Sequence, residues 1–207
     1  MNLALKESIR HELSHHAPFT IFGALTGILI MAGFPHLPRE TSYKLFYTLH
    51  PLHVFFSSLT AASIYSLHEC SGLPRKCGLR KLILVAFVGA VGLGTLSDSL
   101  IPYLGEVILG LPERQLHIGF IEEWWIVNPL AFLGILIAFY KPMSRMPHAA
   151  HVLISTWASL FHMMMAVGIE LAWWTYPVIF LFLFAAVWLP CCVSDIVFPL
   201  LFVHKRS

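Results

Sequence analysis

Charged residues are scarce in this chain of 207 residues: Asp, Glu, Lys and Arg together make up 12%, against 57% hydrophobic residues. A soluble domain carries roughly a quarter charged residues, so the composition argues against a water-soluble fold and predicts a surface that mostly faces lipid. The formal net charge is only +2, which excludes a strongly basic surface for nucleic acid. The four cysteines match neither a zinc ribbon nor a redox motif, so no disulfide framework is expected.

Long apolar runs, by contrast, are frequent. A membrane-spanning helix needs about 20 mostly apolar residues. Six runs meet this need, at 17–34, 46–67, 82–103, 124–140, 149–169 and 177–203. The first sixteen residues lack the pattern of a cleavable signal peptide, so the first run is predicted to be a retained helix. The sequence therefore predicts an all-α fold, a polytopic transmembrane bundle of six helices.

The basic residues predict how this bundle is oriented. Ten of the 13 Lys and Arg residues fall at the two ends of the chain or in the second and fourth connections. The other three, Arg39, Lys44 and Arg114, fall in the remaining connections. Because cytoplasmic loops are enriched in Lys and Arg, both termini of this multi-pass protein are predicted to be cytoplasmic. Tryptophans favour the membrane interface and stand at the predicted outer helix ends, at positions 124, 125, 173 and 174.

One polar pattern occurs twice, 97 or 98 positions apart. Residues 50–57 (HPLHVFFS) return as 148–155 (HAAHVLIS), and residues 97–102 (SDSLIP) return as 194–199 (SDIVFP). Histidine and aspartate are costly near hydrocarbon, so a repeated set indicates a repeated polar site rather than repeated packing.

The spacing of the two copies predicts an inverted repeat. Each copy covers three predicted helices, an odd number, so the second copy must enter the bilayer upside down relative to the first. A weaker match of Gly27 and Gly134, each followed by Ile-Leu-Ile, extends the likeness to the first helix of each copy. The predicted units are residues 1–111 and 112–207, a 3+3 inverted repeat of the kind found in secondary transporters.

The repeated histidines and aspartates are predicted metal ligands. Histidines three positions apart share one helix face, so both imidazoles can reach one ion, and a carboxylate from a neighbouring helix completes an N,N,O set. The two predicted sets are His50, His53 and Asp98, and His148, His151 and Asp195. Their positions near predicted helix ends place one set near each membrane face. Zinc or iron is the expected ion.

Further ligands and supporting groups are predicted around these sets. Ser57 and Ser155 follow four residues later on the same helix faces and are expected to hydrogen-bond a metal ligand or a bound water. His16 and Glu123 each precede a matched glycine by 11 positions and are the predicted additional ligands. His117 and Glu122 lie near Glu123 and offer further donors. His162, beside a run of three methionines, is interpreted as packing.

These predictions favour an integral membrane transporter or channel for a divalent transition metal ion. The expected partners are the lipid bilayer and the ion, not nucleic acid, and formation of a homo-oligomer is left open. The alternative is a zinc-dependent membrane hydrolase with a His/Asp/Ser site, which needs only one activated water and leaves the second set unexplained. A diheme cytochrome is disfavoured because histidines three residues apart on one helix cannot hold both faces of a porphyrin.

Overall fold

Every regular element of the described chain is helical in the computed structural model, which describes residues 3–69, 78–143, 148–168 and 170–203. The side chains of residues 3–9, 11–13, 15–16, 148–150, 192 and 196 lie outside that description. Six long helices are present: α1 Leu3–Gly33, α2 Arg39–Glu69, α3 Leu79–Leu109, α4 Trp124–Tyr140, α5 His148–Met165 and α6 Thr175–Leu201. A short helical turn, Gly119–Glu122, precedes α4. The all-α prediction is confirmed.

By length and composition, two of these helices can cross a membrane: α3 and α6. Two shorter apolar segments, Ala17–Gly33 and Trp124–Tyr140, accompany them. The predicted six-span arrangement is therefore supported by this measure only in part, and it stays a prediction for the other helices.

Helix α2 lies at the centre of the bundle, which explains its modest hydropathy. It packs against α4, α5 and α3, and it buries a series of small hydroxyl residues. Several of these hydroxyls donate to carbonyl oxygens of the preceding helical turn, as Ser63 does to Leu59 at 2.7 Å and Thr60 to Phe56 at 2.8 Å. A hydroxyl satisfied in this way can be buried without a partner on another helix. Small polar side chains therefore replace large apolar ones at this position in the bundle.

Close backbone contacts join the first helix of each half to the second helix of the other half. A Cβ built on Gly134 in α4 would meet Ser58 and lie 2.5 Å from the carbonyl oxygen of Phe55 in α2. A Cβ built on Gly23 in α1 would lie 2.9 Å from Oγ1 of Thr156 in α5. Ser58 and Thr156 are 98 positions apart, the same offset as the repeated histidines. The two contacts thus use equivalent residues on α2 and α5, although Gly23 and Gly134 are not at matched positions of the repeat.

We expect Gly134→Ala to destabilise the fold, because the added methyl group has no room against the α2 backbone. Overpacking of this kind costs about 1–3 kcal/mol. The measurement is the midpoint of thermal unfolding in detergent. Gly92→Ala is the matched control, since a Cβ there has nothing within 4 Å. Equal midpoints for the two variants would contradict the close α4–α2 contact.

Candidate metal centre

Both repeated aspartates lie where a long helix widens. Asp98 falls within the π-helical turn Leu96–Leu100, and Asp195 falls within the π-helical turn Val193–Val197. A proline follows each aspartate by four positions and has no N–H to donate to the aspartate carbonyl, and its ring would clash with that oxygen in a regular α-helix. The repeated Asp-x-x-x-Pro spacing thus gives a local reason for the widening. Turns of this type are frequent at functional sites.

Asp98 is fully buried and accepts four hydrogen bonds. His50 Nδ1 and His53 Nδ1 donate to its Oδ2 at 2.9 and 2.6 Å. Ser97 Oγ and Ser155 Oγ donate to its Oδ1 at 2.7 and 2.8 Å. Since an ionised carboxylate only accepts, each imidazole carries a proton on Nδ1, and in its neutral form it presents a lone pair at Nε2.

Asp195 has a similar set of partners. Ser57 Oγ and Ser194 Oγ each donate to its Oδ1 at 2.6 Å. His151 Nε2 lies 3.0 Å from its Oδ2, out of line for a regular hydrogen bond. Both aspartates are therefore held by the preceding serine, by a serine from another helix and by at least one histidine.

The serines cross between the two halves of the chain. Ser57, from the first half, contacts Asp195 of the second, and Ser155, from the second half, contacts Asp98 of the first. Each serine thus hydrogen-bonds a predicted ligand, but the ligand belongs to the other half of the chain. Each serine lies one helical turn from a histidine of its own half. The serine contacts with the aspartates of the other half therefore bring the histidines of the two halves close to each other.

The described members of the two polar sets, which are all but His148, form one buried cluster, so they do not make two separate sets, one near each membrane face. The ring centroids of His53 and His151 lie only 4.9 Å apart. The sequence prediction began the second helix at residue 46, whereas α2 begins at Arg39 and continues through charged residues. His53 is consequently the fifteenth of 31 helical residues, near the middle of α2 rather than near its end.

A group of three possible ligands lies where the halves meet. The side chains of His53, His151 and Cys191 are all buried. Each offers one ligand atom, and these three atoms lie within 4.8 Å of one another. Cys191 Sγ is 3.6 Å from His53 Nε2, the nitrogen that faces away from Asp98. The two imidazole rings are nearly perpendicular, at 89°. Two imidazoles bound to one ion at about 2.0–2.1 Å place their ring centres roughly 5 Å apart, so this spacing suits a shared ion.

A second group of possible ligands shares His53 with the first. His50, His53 and Asp98 also offer ligand atoms within 4.8 Å of one another. His50 Nε2 is buried and has no hydrogen-bond partner. Metal-binding histidines commonly donate their second ring N–H to a carboxylate, which fixes the ring and its tautomer. Asp98 accepts such a hydrogen bond from Nδ1 of both histidines. Their Nε2 atoms are therefore better candidates than their Nδ1 atoms for direct contact with an ion.

The remaining predicted ligands stand apart from this cluster or cannot be placed. The side chains of His148 and His16 lie outside the described residues. Glu123 accepts a hydrogen bond from Tyr43 Oη at 3.2 Å and belongs to neither ligand group. The pairing of His16 with Glu123 therefore receives no support from the described contacts.

Cys191 is the ligand candidate that sequence reasoning missed. The spacing of the cysteines matches no zinc or redox motif, yet Cys191 is buried 3.5 Å from Ser155 Oγ and close to His53. Its position four residues before Asp195 was the available signal, since residues at that spacing share a helix face. The corresponding position before Asp98 is Gly94, so the repeat pattern itself gave no hint of a ligand.

Comparison with protein-family models, with curated proteins and with solved structures finds no match to this chain. The candidate function consequently depends on the geometry of the cluster alone.

The crossed contacts predict an energetic coupling between the halves. In a double-mutant cycle, Ser57→Ala and Asp195→Asn are expected to be non-additive by about 0.5–3 kcal/mol, because the first removes the donor of the Ser57–Asp195 hydrogen bond and the second removes the charge of its acceptor. Unfolding free energies in detergent are the measurement. The control cycle pairs Ser57→Ala with Asp98→Asn, for which we expect the smaller coupling. A larger coupling in the control cycle would mean that each serine supports its own half.

Proposed function

We propose that this protein is a multi-pass integral membrane carrier for a divalent transition metal ion, which it binds at one central His/Asp/Cys site. The observation that carries the proposal is the meeting of His53 and His151, one from each half, beside Cys191 and between two buried aspartates. Zinc is the favoured ion because thiolate and imidazole are its usual ligands, with iron as the other candidate.

The outer surface of the bundle supports placement in a bilayer. Large apolar side chains are exposed on several helices, among them Leu29, Ile108, Leu136 and Leu181, each more than half exposed. Contiguous apolar surface of this kind marks contact with lipid or a partner. The exposed tryptophans at positions 124, 125, 173 and 174 suit the interface. With the distribution of basic residues, these features support six spans with both termini cytoplasmic.

The arrangement of the polar cluster supports an inverted repeat of residues 1–111 and 112–207. Matching π-helical turns carry the two aspartates, and the serine contacts are exchanged between the halves as a two-fold axis requires. Transporters built from inverted repeats bind their substrate where the repeats meet, on helices with irregular segments. A transporter of this class would therefore need one substrate site shared by the two repeats, rather than a separate site at each membrane face.

The charges of the cluster support a cation as substrate. Asp98 and Asp195 are both buried, and among the described ion pairs their cationic partners are histidines rather than Lys or Arg. An unpaired buried charge is costly. Histidine can be neutral or charged, so protons or a metal ion can balance the two carboxylates in turn.

The burial of the cluster favours a carrier over an open channel. His50, His53, His151 and both aspartates are at most 4% exposed. An ion held among them is enclosed by protein and must wait for the helices to move before it leaves. That is the behaviour of alternating access about a fixed site.

We expect His53→Ala and Cys191→Ala each to weaken Zn²⁺ binding and to abolish Zn²⁺ uptake, because each removes a ligand of the shared site. Binding is measured by calorimetry in detergent, and uptake with a zinc-sensitive dye inside proteoliposomes. His68→Ala is the control, since His68 is exposed at the end of α2 and bonds only to its own helix. Uptake that survives both ligand variants would contradict the proposal.

The same preparations separate a carrier from the alternative, a zinc-dependent hydrolase. A hydrolase would bind zinc, show esterase or amidase activity that His53→Ala removes, and show no uptake into vesicles. Asp98→Asn gives a graded test of the site itself. Loss of a carboxylate that orients ligand histidines typically weakens metal affinity by roughly 10–100-fold. We therefore expect weaker but measurable Zn²⁺ binding in this variant.

A further inference from the structure

An apolar groove lies on the surface of the bundle between α3 and α4, and we propose that it binds one anionic phospholipid of the inner leaflet. An acyl chain lies in the groove, and the phosphate lies among Arg80, Lys81 and Lys141 at its inner end. The inference rests on the proposed placement of the protein in a bilayer, and it makes no use of the proposed metal site. It assigns to this protein a ligand of a different chemical class.

The groove has the size and the lining that an acyl chain needs. Its volume is about 450 Å³, and all of the side chains that line it are apolar. Leu79 and Ile83 contribute from α3, and residues from Pro129 to Phe139 contribute from α4. Pockets for small ligands commonly measure roughly 300–1,000 Å³. Because Leu79 and Leu136 are 50 and 51% exposed, the groove is open to its surroundings, and a lipid chain can enter it from the side.

The length of the groove matches one leaflet of a bilayer. At a rise of about 1.5 Å per residue, the stretch of α4 from Pro129 to Phe139 is about 15 Å long. The hydrocarbon core of a bilayer is about 30 Å thick, so the groove extends through about half of it. Its other helix begins at Leu79, beside the end of α4 at Tyr140. In the proposed orientation, this end of the groove is on the cytoplasmic side.

Three basic residues are positioned at the inner end of the groove. Arg80 and Lys81 directly follow Leu79 in the first turn of α3, and Lys141 directly follows the last residue of α4. All three are exposed. Within the part of the chain that the structure describes, none of the three takes part in an ion pair. Their charges are therefore available to an anion from outside the chain.

A lipid phosphate is the anion that suits this position. Arg binds phosphate oxygens through two parallel N–H bonds, and Lys adds a compact positive charge. The long side chains of both residues extend along apolar surface while their charged ends stay in water, at the level of the headgroups. Basic pockets between transmembrane helices on the cytoplasmic side bind anionic headgroups. A headgroup with a cation of its own gains less from three positive charges, so the net charge of the lipid should be negative.

A second copy of the chain suits the groove less well. Homodimers commonly have a two-fold axis, and an axis along the membrane normal places the same end of both copies on the same side. A dimer formed across the groove would therefore bring Arg80, Lys81 and Lys141 towards the same three residues of the other copy. Like charges that face each other across an interface are unfavourable. The charge at the inner end consequently favours an anionic lipid as the occupant.

Lipid titration of the full chain in detergent, followed by native mass spectrometry, tests the headgroup contacts. The probes are phosphatidylglycerol and phosphatidylcholine with identical acyl chains. We expect the wild type to bind one phosphatidylglycerol more tightly than phosphatidylcholine. Arg80→Gln should weaken phosphatidylglycerol binding by roughly fivefold, the factor that one basic residue contributes near an anionic surface. Arg114→Gln is the control, because it removes the same charge from an exposed residue beyond the opposite end of α3.

A substitution within the groove tests the acyl-chain contact. Leu136→Trp should weaken phosphatidylglycerol binding, because the larger side chain fills space that the acyl chain needs. Leu181→Trp is the matched control, since Leu181 is 61% exposed on α6 and does not line the groove. Glycerol phosphate carries the phosphate without an acyl chain and should not displace the lipid. Displacement would assign the basic residues to a free phosphate and overturn the lipid site.

Three further results would overturn the site. They are equal affinity of the wild type for the two lipids, equal losses in Arg80→Gln and Arg114→Gln, and a lipid-free dimer that Leu136→Trp converts to monomers. The last would assign the groove to a second copy. Thermal unfolding identifies any variant that has misfolded, and the exposed Arg80→Gln is then decisive.

Zn²⁺ calorimetry on the same preparations distinguishes this inference from the proposed metal site. A preference for phosphatidylglycerol without Zn²⁺ binding would reject the metal site and retain the lipid site. Zn²⁺ binding without a lipid preference would do the reverse.

Discussion

The exchange of serine hydroxyls between the two aspartates is the interaction on which the rest of the structure depends. Burying two carboxylates inside an apolar bundle is costly unless each is fully hydrogen-bonded. Ser57 and Ser155 meet this need across the chain, each donating to the aspartate of the other half. They can do so only if α2 lies beside α6 and α5 lies beside α3. The polar contacts therefore fix how the halves pack and where the candidate ligands lie.

Two local features make this exchange sterically feasible. Small residues allow the helix backbones to approach closely, as at Gly134 against Ser58 and Gly23 against Thr156. The π-helical turns at Asp98 and Asp195 interrupt the regular α-helix at the level of the cluster. Packed elements with irregular turns are also those that change arrangement most readily, and a carrier of the proposed kind requires such a change.

The likeness of the halves does not extend to all of their chemistry. Cys191 faces His53 from the second half, whereas the matching position in the first half is Gly94. The frame of the bundle is thus nearly two-fold, while the ligands are distributed unequally. In a carrier of the proposed kind, an unequal distribution of ligands would give the two arrangements of the protein different affinities for the ion, because a free-energy difference between two arrangements depends on contacts that differ between them.

The sequence alone determined the helical class, the repeated His-x-x-His and Ser-Asp patterns and the association of Asp98 with His50 and His53, because these follow from hydropathy, spacing and the cost of polar groups in an apolar chain. Tertiary structure alone decided that the sets meet. Hydropathy ends a helix where charged residues begin, but α2 continues to Arg39, so His53 lies near its middle. Cys191 joined the site because helix packing, which sequence spacing does not encode, brought it to His53.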